Sequence, residues 1–160
     1  MSDPTALFEV RRDGFTISTD PARLDRDAVY RYLSEESYWA AGMARGVFER
    51  TVAGSLPFGL YEPGGAQIGY ARVVSDHATL AWLSDVYVLP AYRGKGLGRW
   101  LITSVMAHPD LQGLRRWMLS TRDAHAIYAA YGFTAVDPAI VMQRIDPEAR
   151  KQSPRPPGEG

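Results

Sequence analysis

Three glycines at alternate positions, Gly94, Gly96 and Gly98, are interleaved with three cations, Arg93, Lys95 and Arg99, just beyond an apolar stretch that stops at Pro90. Glycine removes Cβ atoms where backbone must come close to a ligand. A helix over Gly96–Ala107 is expected to begin here, and the first amides of a helix have no partner inside it. Such amides point outward at the positive end of the helix dipole and form a nest for polyphosphate. Cations at a helix N-terminus are unfavourable by roughly 0.3–1 kcal/mol each, and a bound anion reverses the sign. The spacing is not that of a Walker loop, which needs Gly-x-x-x-x-Gly-Lys-Ser/Thr, nor that of a Gly-x-Gly-x-x-Gly dinucleotide loop.

A second centre of interest lies just upstream. Residues 80–89 are apolar on both faces, which reads as a central strand. Ser84 and Asp85 interrupt it and face opposite sides. A buried carboxylate is costly unless it is paired or hydrogen-bonded, so Asp85 needs either a partner or a chemical role.

The elements that must hold these residues can be read from periodicity and punctuation. Phe8–Thr19 reads as a strand, a turn at Asp13-Gly14 and a second strand, or as one bulged strand. Asp20 and Pro21 start a helix bearing Leu24, Tyr32 and Leu33, and Met43–Ala53 forms another that closes at Gly54. Leu56–Tyr61 and Gln67–Val74 make a hairpin around Glu62-Pro63-Gly64-Gly65. Ala78–Leu89 is a strand, Arg116–Ser120 a short strand, and Asp123–Tyr131 a helix with Asp123 as N-cap and Gly132 beyond its end. Thr134–Val136 and Ala139–Ile145 are expected as closing strands. The fold class is therefore α/β, of α+β mixed-sheet type: a largely antiparallel start followed by two crossover helices, with about four helices in all. One domain spans residues 1–148, and the Pro/Gly-rich residues 149–160 form a disordered tail.

The segment Arg93-Gly94-x-Gly96-x-Gly98, after a Val-rich strand, resembles motif A of the GNAT superfamily, the N-acetyltransferases that use acetyl-CoA. Thr121–Phe133, with Ala124, Ile127, Tyr128 and a closing Gly132-Phe133, resembles motif B of the same family. The resemblance follows the element order over roughly residues 8–145. It implies a central mixed sheet splayed at the strand before the glycine loop, and acetyl-CoA as acyl donor. Amides and side chains of Arg93, Gly94, Lys95, Gly96, Leu97, Gly98 and Arg99 would hold the coenzyme pyrophosphate. Free amides around Val86 and Val88, beside Tyr87, would pair with the pantetheine arm, and one of them could stabilise an oxyanion. The family often has Asn where Thr121 stands, so only a hydroxyl is on offer at that contact.

The implied reaction moves an acetyl group from a thioester to a primary amine. The amine must first be neutral, which at pH 7 costs roughly 4.6 kcal/mol for a lysine-like group near pKa ~10.4 and about 1.4 kcal/mol for an α-amine near ~8. Asp85 is the leading base or amine-orienting group, with Glu35 and His77 as alternatives. Tyr128 stands where the family places its general acid. Proton transfer from a tyrosine at pKa ~10 to a thiolate whose thiol has pKa ~8.5 is uphill by about 2 kcal/mol. In this family the connection after the first helix shapes the acceptor site, here Glu35, Tyr38 and Trp39. Aromatic rings beside a carboxylate suit a small cationic amine with an apolar body.

Composition narrows the field. The chain has 160 residues, 18 basic and 18 acidic side chains, and no cysteine. Zero net charge speaks against a general nucleic-acid binder. The lack of cysteine removes disulfides, thiolate metal sites and a cysteine nucleophile, and no metal is expected. No apolar run approaches the ~18 residues of a membrane span, and Met1-Ser2-Asp3-Pro4 has no export signature. The expectation is a cytoplasmic monomer or homodimer acting on a small-molecule amine, without nucleic-acid or membrane partners. The alternative is a non-catalytic acyl-CoA-binding or sensing module of the same fold.

Overall fold

The structure is a computed structural model that describes residues 7–149. The anticipated tail from residue 150 onward and the extreme N-terminus lie outside the described residues. A six-stranded sheet in sequential order is its frame: β1 (Glu9–Arg12), β2 (Phe15–Ser18), β3 (Leu56–Tyr61), β4 (Gln67–Ser75), β5 (Leu80–Val88) and β6 (Arg116–Met118). Neighbours β1 to β5 are antiparallel, and β5 runs parallel to β6. Four α-helices are formed by the described residues: α1 (Arg26–Arg31), α2 (Arg45–Ala53), α3 (Leu97–Met106) and α4 (His125–Ala129).

The helix starts follow the capping signals only in part. Asp20 accepts from the Ala22 amide at 2.9 Å and opens a single 3-10 turn. The true cap of α1 is Asp25, which accepts from the Ala28 amide at 3.1 Å. Beyond α1 the chain widens into a π-helical turn, Tyr32–Glu36, and leaves it at Ser37. π-Turns inside helices tend to mark functional sites because they re-aim the side chains that follow. Tyr32 and Leu33 stay buried there, while Glu35, Glu36, Tyr38 and Trp39 are exposed.

The core lies on both sides of the sheet. Ile17, Phe58, Leu60, Ile68 and Leu83 pack with Leu97, Leu101 and Val105 of α3. Val29, Leu33, Phe48 and Val52 cover the other face beside Tyr70 and Tyr87. Burying such side chains contributes about 1.5–3 kcal/mol each. At the lower end of β5, Leu80 and Trp82 are 39% and 36% exposed, so only the upper part of the strand is enclosed on both faces.

Two expectations fail toward the C-terminus. β6 stops at Met118, and residues 134–136 and 139–145 form no strand. Asp137 explains part of this. Its side chain accepts from the Ala139 amide at 2.9 Å and its carbonyl from Ile140 and Val141 at 3.1 Å. That local turn competes with a sheet ladder, as short polar side chains commonly do. A three-residue β6 also offers little edge on which a further strand could form.

Candidate active site

β5 is where the sheet opens. Opposite Tyr70–Arg72 of β4, its register slips between Tyr87 and Ser84, so β5 carries an extra residue. Asp85 sits in that bulge with φ 54°, a conformation few L-residues adopt. On the far side, pairing with β6 covers only Leu80–Trp82. Above Trp82 the two parallel strands part. The Leu89 amide donates to Ile68 of β4 at 2.8 Å, and strand residues alternate edges, so the amides of Val88 and Val86 face the split.

The glycine segment crowns this split. Gly94 and Gly96 take φ of 81° and 77°, values that suit glycine. The first backbone bond of α3 runs from the Trp100 amide to the Gly96 carbonyl at 3.1 Å. The amides of Gly94, Lys95, Gly96, Leu97, Gly98 and Arg99 have no partner among the described residues. A Cβ at Gly98 would meet only Val88 Cγ2, at 3.9 Å, so the space over that backbone is open. Arg12, from β1, adds a fourth cation. Its guanidinium lies 4.9 Å over the Trp100 ring, and a Cβ at Gly96 would stand 3.7 Å from its Nη2. Arg93 plays a different part. Its Nε donates to the Val88 carbonyl at 2.9 Å and Nη2 to the Tyr32 hydroxyl at 3.1 Å, tying the loop to the strand end.

The nest, the split and the polar end of β5 open into one cleft of about 680 Å³. Val86, Tyr87, Val88, Gly94, Gly96, Leu97, Gly98, Arg99 and Thr121 line it, as do Tyr38, Trp39, Asp85 and Tyr128. Tyr87 stacks on Tyr32 with ring centroids 3.8 Å apart, and burial pushes its hydroxyl pKa up. Tyr128 packs edge-on against Phe133 at 5.8 Å, and its hydroxyl has no hydrogen-bond partner among the described residues. Burial, followed by the proximity of Tyr38, raises the Tyr128 pKa above its usual value. The phenol is therefore fully protonated at neutral pH and free to donate. Thr121 caps the turn before α4, accepting from the Ala124 amide at 3.1 Å; Asp123 does not act as the cap.

The three candidates for the base lie in different places. His77 sits at positive φ in the β4–β5 turn and does not line the cleft. Glu35 does not line it either; the π-turn brings its neighbour Glu36 to the cleft instead. Asp85 has found the partners its burial demands. One oxygen accepts from Arg72 Nε at 2.6 Å and the other from the Trp39 indole N–H at 2.8 Å. Its side chain is only 3% exposed, and both oxygens are already engaged where the cleft reaches it. Arg72, Tyr32 and Arg122 join the site without having been expected there from the sequence. Arg72 carries a signal, a cation in mid-strand among apolar neighbours, which calls for a buried counter-charge.

Comparison with known proteins now decides the family. Residues 55–135 match the family model described as acetyltransferase (GNAT) domain. A Gibberella zeae protein with an acetyltransferase name is 35% identical over 133 residues, which cover 70% of this chain and 74% of that protein. This chain belongs to the GNAT family. It is an acyltransferase by the same comparisons. The crystal structure of a GNAT-family protein from Xanthomonas campestris pv. campestris superposes with a TM-score of 0.80 at 46% identity, covering 83% of this chain and 94% of that one. A GNAT acetyltransferase from Elizabethkingia anophelis, solved with acetyl-CoA bound, shares the fold with a TM-score of 0.60 at 15% identity, over 79% of this chain and 80% of that one. The GNAT match spans β3 to Ala135, so it contains the nest and Tyr128 and excludes Tyr38 and Trp39.

Proposed function

We propose that this GNAT protein transfers the acetyl group of acetyl-CoA to a primary amine of a small molecule by direct attack, with Tyr128 as general acid. The observation that carries the reading is the row of unpartnered amides from Gly94 to Arg99, of which Gly94, Gly96, Leu97, Gly98 and Arg99 line the same cleft as the unpaired Tyr128 hydroxyl. Six backbone donors beside Lys95, Arg99 and Arg12 match a diphosphate in charge and in hydrogen-bonding sense. A donor gripped there has its arm aimed along the split between β5 and β6, where the Val86 and Val88 amides have no strand neighbour.

In the proposed step the neutral amine attacks the thioester carbonyl. A C–N bond forms, the C–S bond breaks, and the developing oxyanion is met by a β5 amide. The leaving thiolate takes the Tyr128 proton, and the proton released by the amine returns to Tyr128 through water. The raised Tyr128 pKa keeps the proton on the phenol until the thiolate develops and widens the uphill gap of that transfer. Glu36 supplies a free carboxylate at the cleft to attract the incoming ammonium.

The test pairs binding with turnover. Acetyl-CoA should raise the melting temperature as a native-state ligand, ATP should raise it far less, and CoA release should appear with at least one member of an amine panel. Binding without release on any amine would instead make the protein an acyl-CoA sensor.

A further inference from the structure

The acceptor end of the cleft is roofed by three consecutive residues, each tied to a different part of the molecule. The buried Ser37 hydroxyl donates to the Leu33 carbonyl at 2.6 Å and accepts from the Ala40 amide at 3.1 Å. The Tyr38 hydroxyl accepts from the Arg122 amide at 3.2 Å, while the Arg122 guanidinium lies 4.3 Å over the Tyr38 ring. The Trp39 indole N–H donates to Asp85 at 2.8 Å. The Tyr38 and Trp39 rings meet edge to face at 5.2 Å. Both line the cleft and remain 46% and 43% exposed.

Asp85 is itself held at both oxygens. Its backbone is set by the bulge, and its second oxygen is held at 2.6 Å by Arg72, whose Nη1 continues to the Ser55 hydroxyl at 3.2 Å. A continuous chain of polar contacts thus runs from the middle of the sheet to one aromatic ring on the outer loop. Arg72 balances the buried charge, and the indole N–H takes up the other oxygen.

We infer that Asp85 is a positioning residue for acceptor specificity: together with Arg72 it holds the Trp39 indole as a fixed wall of the acceptor pocket, which selects primary amines carrying a flat apolar body. The inference rests on the proposed transfer to a small amine and names its acceptor class. A wall already fixed loses little freedom on binding, so ring-on-ring burial is realised in full. The π-face of Trp39 also favours an approaching ammonium, whereas the Tyr38 ring already carries the Arg122 guanidinium. Asp85 touches no reacting atom in this account.

The experiment compares wild type, Asp85→Asn, Trp39→Phe and the double variant on arylalkyl amines and on a compact amine such as methylamine. The expected result is a rise of about tenfold in KM for the arylalkyl amines in each single variant, with kcat and the acidic limb of its pH profile little moved. The double variant should be no worse than either single one, because both break the same contact. Independently of turnover, the indole N–H signal that disappears from the ¹H–¹⁵N spectrum in Trp39→Phe should shift and exchange faster in Asp85→Asn. A collapse of kcat and of the acidic limb with acceptor preference intact would restore Asp85 as base and overturn the inference, as would an unmoved indole signal. If Asp85→Asn does not fold, Trp39→Phe alone decides: unchanged arylalkyl preference overturns the inference, lost preference supports it. If acetyl-CoA binds and no amine turns over, the proposed reaction falls, while titration of the indole signal with arylalkyl amines still decides whether the wall binds them.

Discussion

The two ends of the cleft are built in opposite ways. The end proposed for the coenzyme is made almost wholly of backbone from one contiguous stretch, the end of β5 through the first turn of α3. The end proposed for the acceptor is made of side chains that meet across long sequence separations: Trp39 with Asp85 is 46 residues apart, and Tyr38 with Arg122 is 84 apart. A backbone nest needs only glycine, helix start and strand end in the right order, so many surrounding sequences can carry it. A side-chain wall depends on the packing of every element beneath it. The difference teaches that the proposed donor end rests on local backbone geometry, whereas the proposed acceptor end rests on the packing of the loop after α1.

Several changes bear on that division, and the largest effect falls where the two ends meet. Tyr128→Phe should lower kcat by roughly 10²–10⁴-fold while acetyl-CoA affinity, read by calorimetry, stays unchanged. Wild-type turnover in that variant would remove the general acid from the account. Gly69→Ala strikes β4 behind the Tyr87 backbone. A Cβ there would stand 2.8 Å from the Tyr87 carbonyl and 3.0 Å from Leu60 Cδ2. Backbone cannot give way cheaply, so denaturant unfolding should show a loss of roughly 1–3 kcal/mol. Gly98→Ala separates the ends most cleanly, since its Cβ meets nothing closer than 3.9 Å. The melting temperature should hold, and acetyl-CoA affinity should fall about tenfold as the methyl group shields the nest from phosphate. Unchanged affinity would argue against the nest as the diphosphate site.

The smallest effect lies outside both ends and serves as a control. His108, just past α3, is 5% exposed; its Nδ1 accepts from the Asp110 amide at 3.1 Å, and it packs against the rings of Phe8 and Phe58. Burial depresses its pKa below the ordinary value, with Asp110 opposing and His77 adding to the fall. The unfolded chain therefore binds the proton more tightly. The stability contributed by His108 is complete above about pH 6.5 and drains away as pH falls toward the lower folded value. Melting temperatures across that window should decline, and His108→Asn should flatten the decline without altering acceptor preference.

Much of this molecule is legible in its residues. The hairpin at Glu62-Pro63-Gly64-Gly65, the helix from Leu97 and the strand carrying Asp85 all rest on local rules of turn chemistry, periodicity and helix-end hydrogen bonding. The nest is local in the same sense, because glycines and a helix start suffice to leave amides unpaired. The closing strands expected at 134–136 and 139–145 do not form, because apolar alternation does not reveal whether a neighbouring edge exists. The sequence shows that Asp85 needs a partner or a chemical role, and only the packed structure supplies both partners, Arg72 from β4 and Trp39 from the loop after the π-turn. Glu36 in place of Glu35 at the cleft turns on that one π-turn, which shifts side chains without a clear mark in the sequence. Order along the chain determined the elements and the backbone with unpaired amides, since both depend on interactions between near neighbours. Tertiary structure alone decided the acceptor wall, since its contacts join residues whose separation in sequence carries no record of their separation in space.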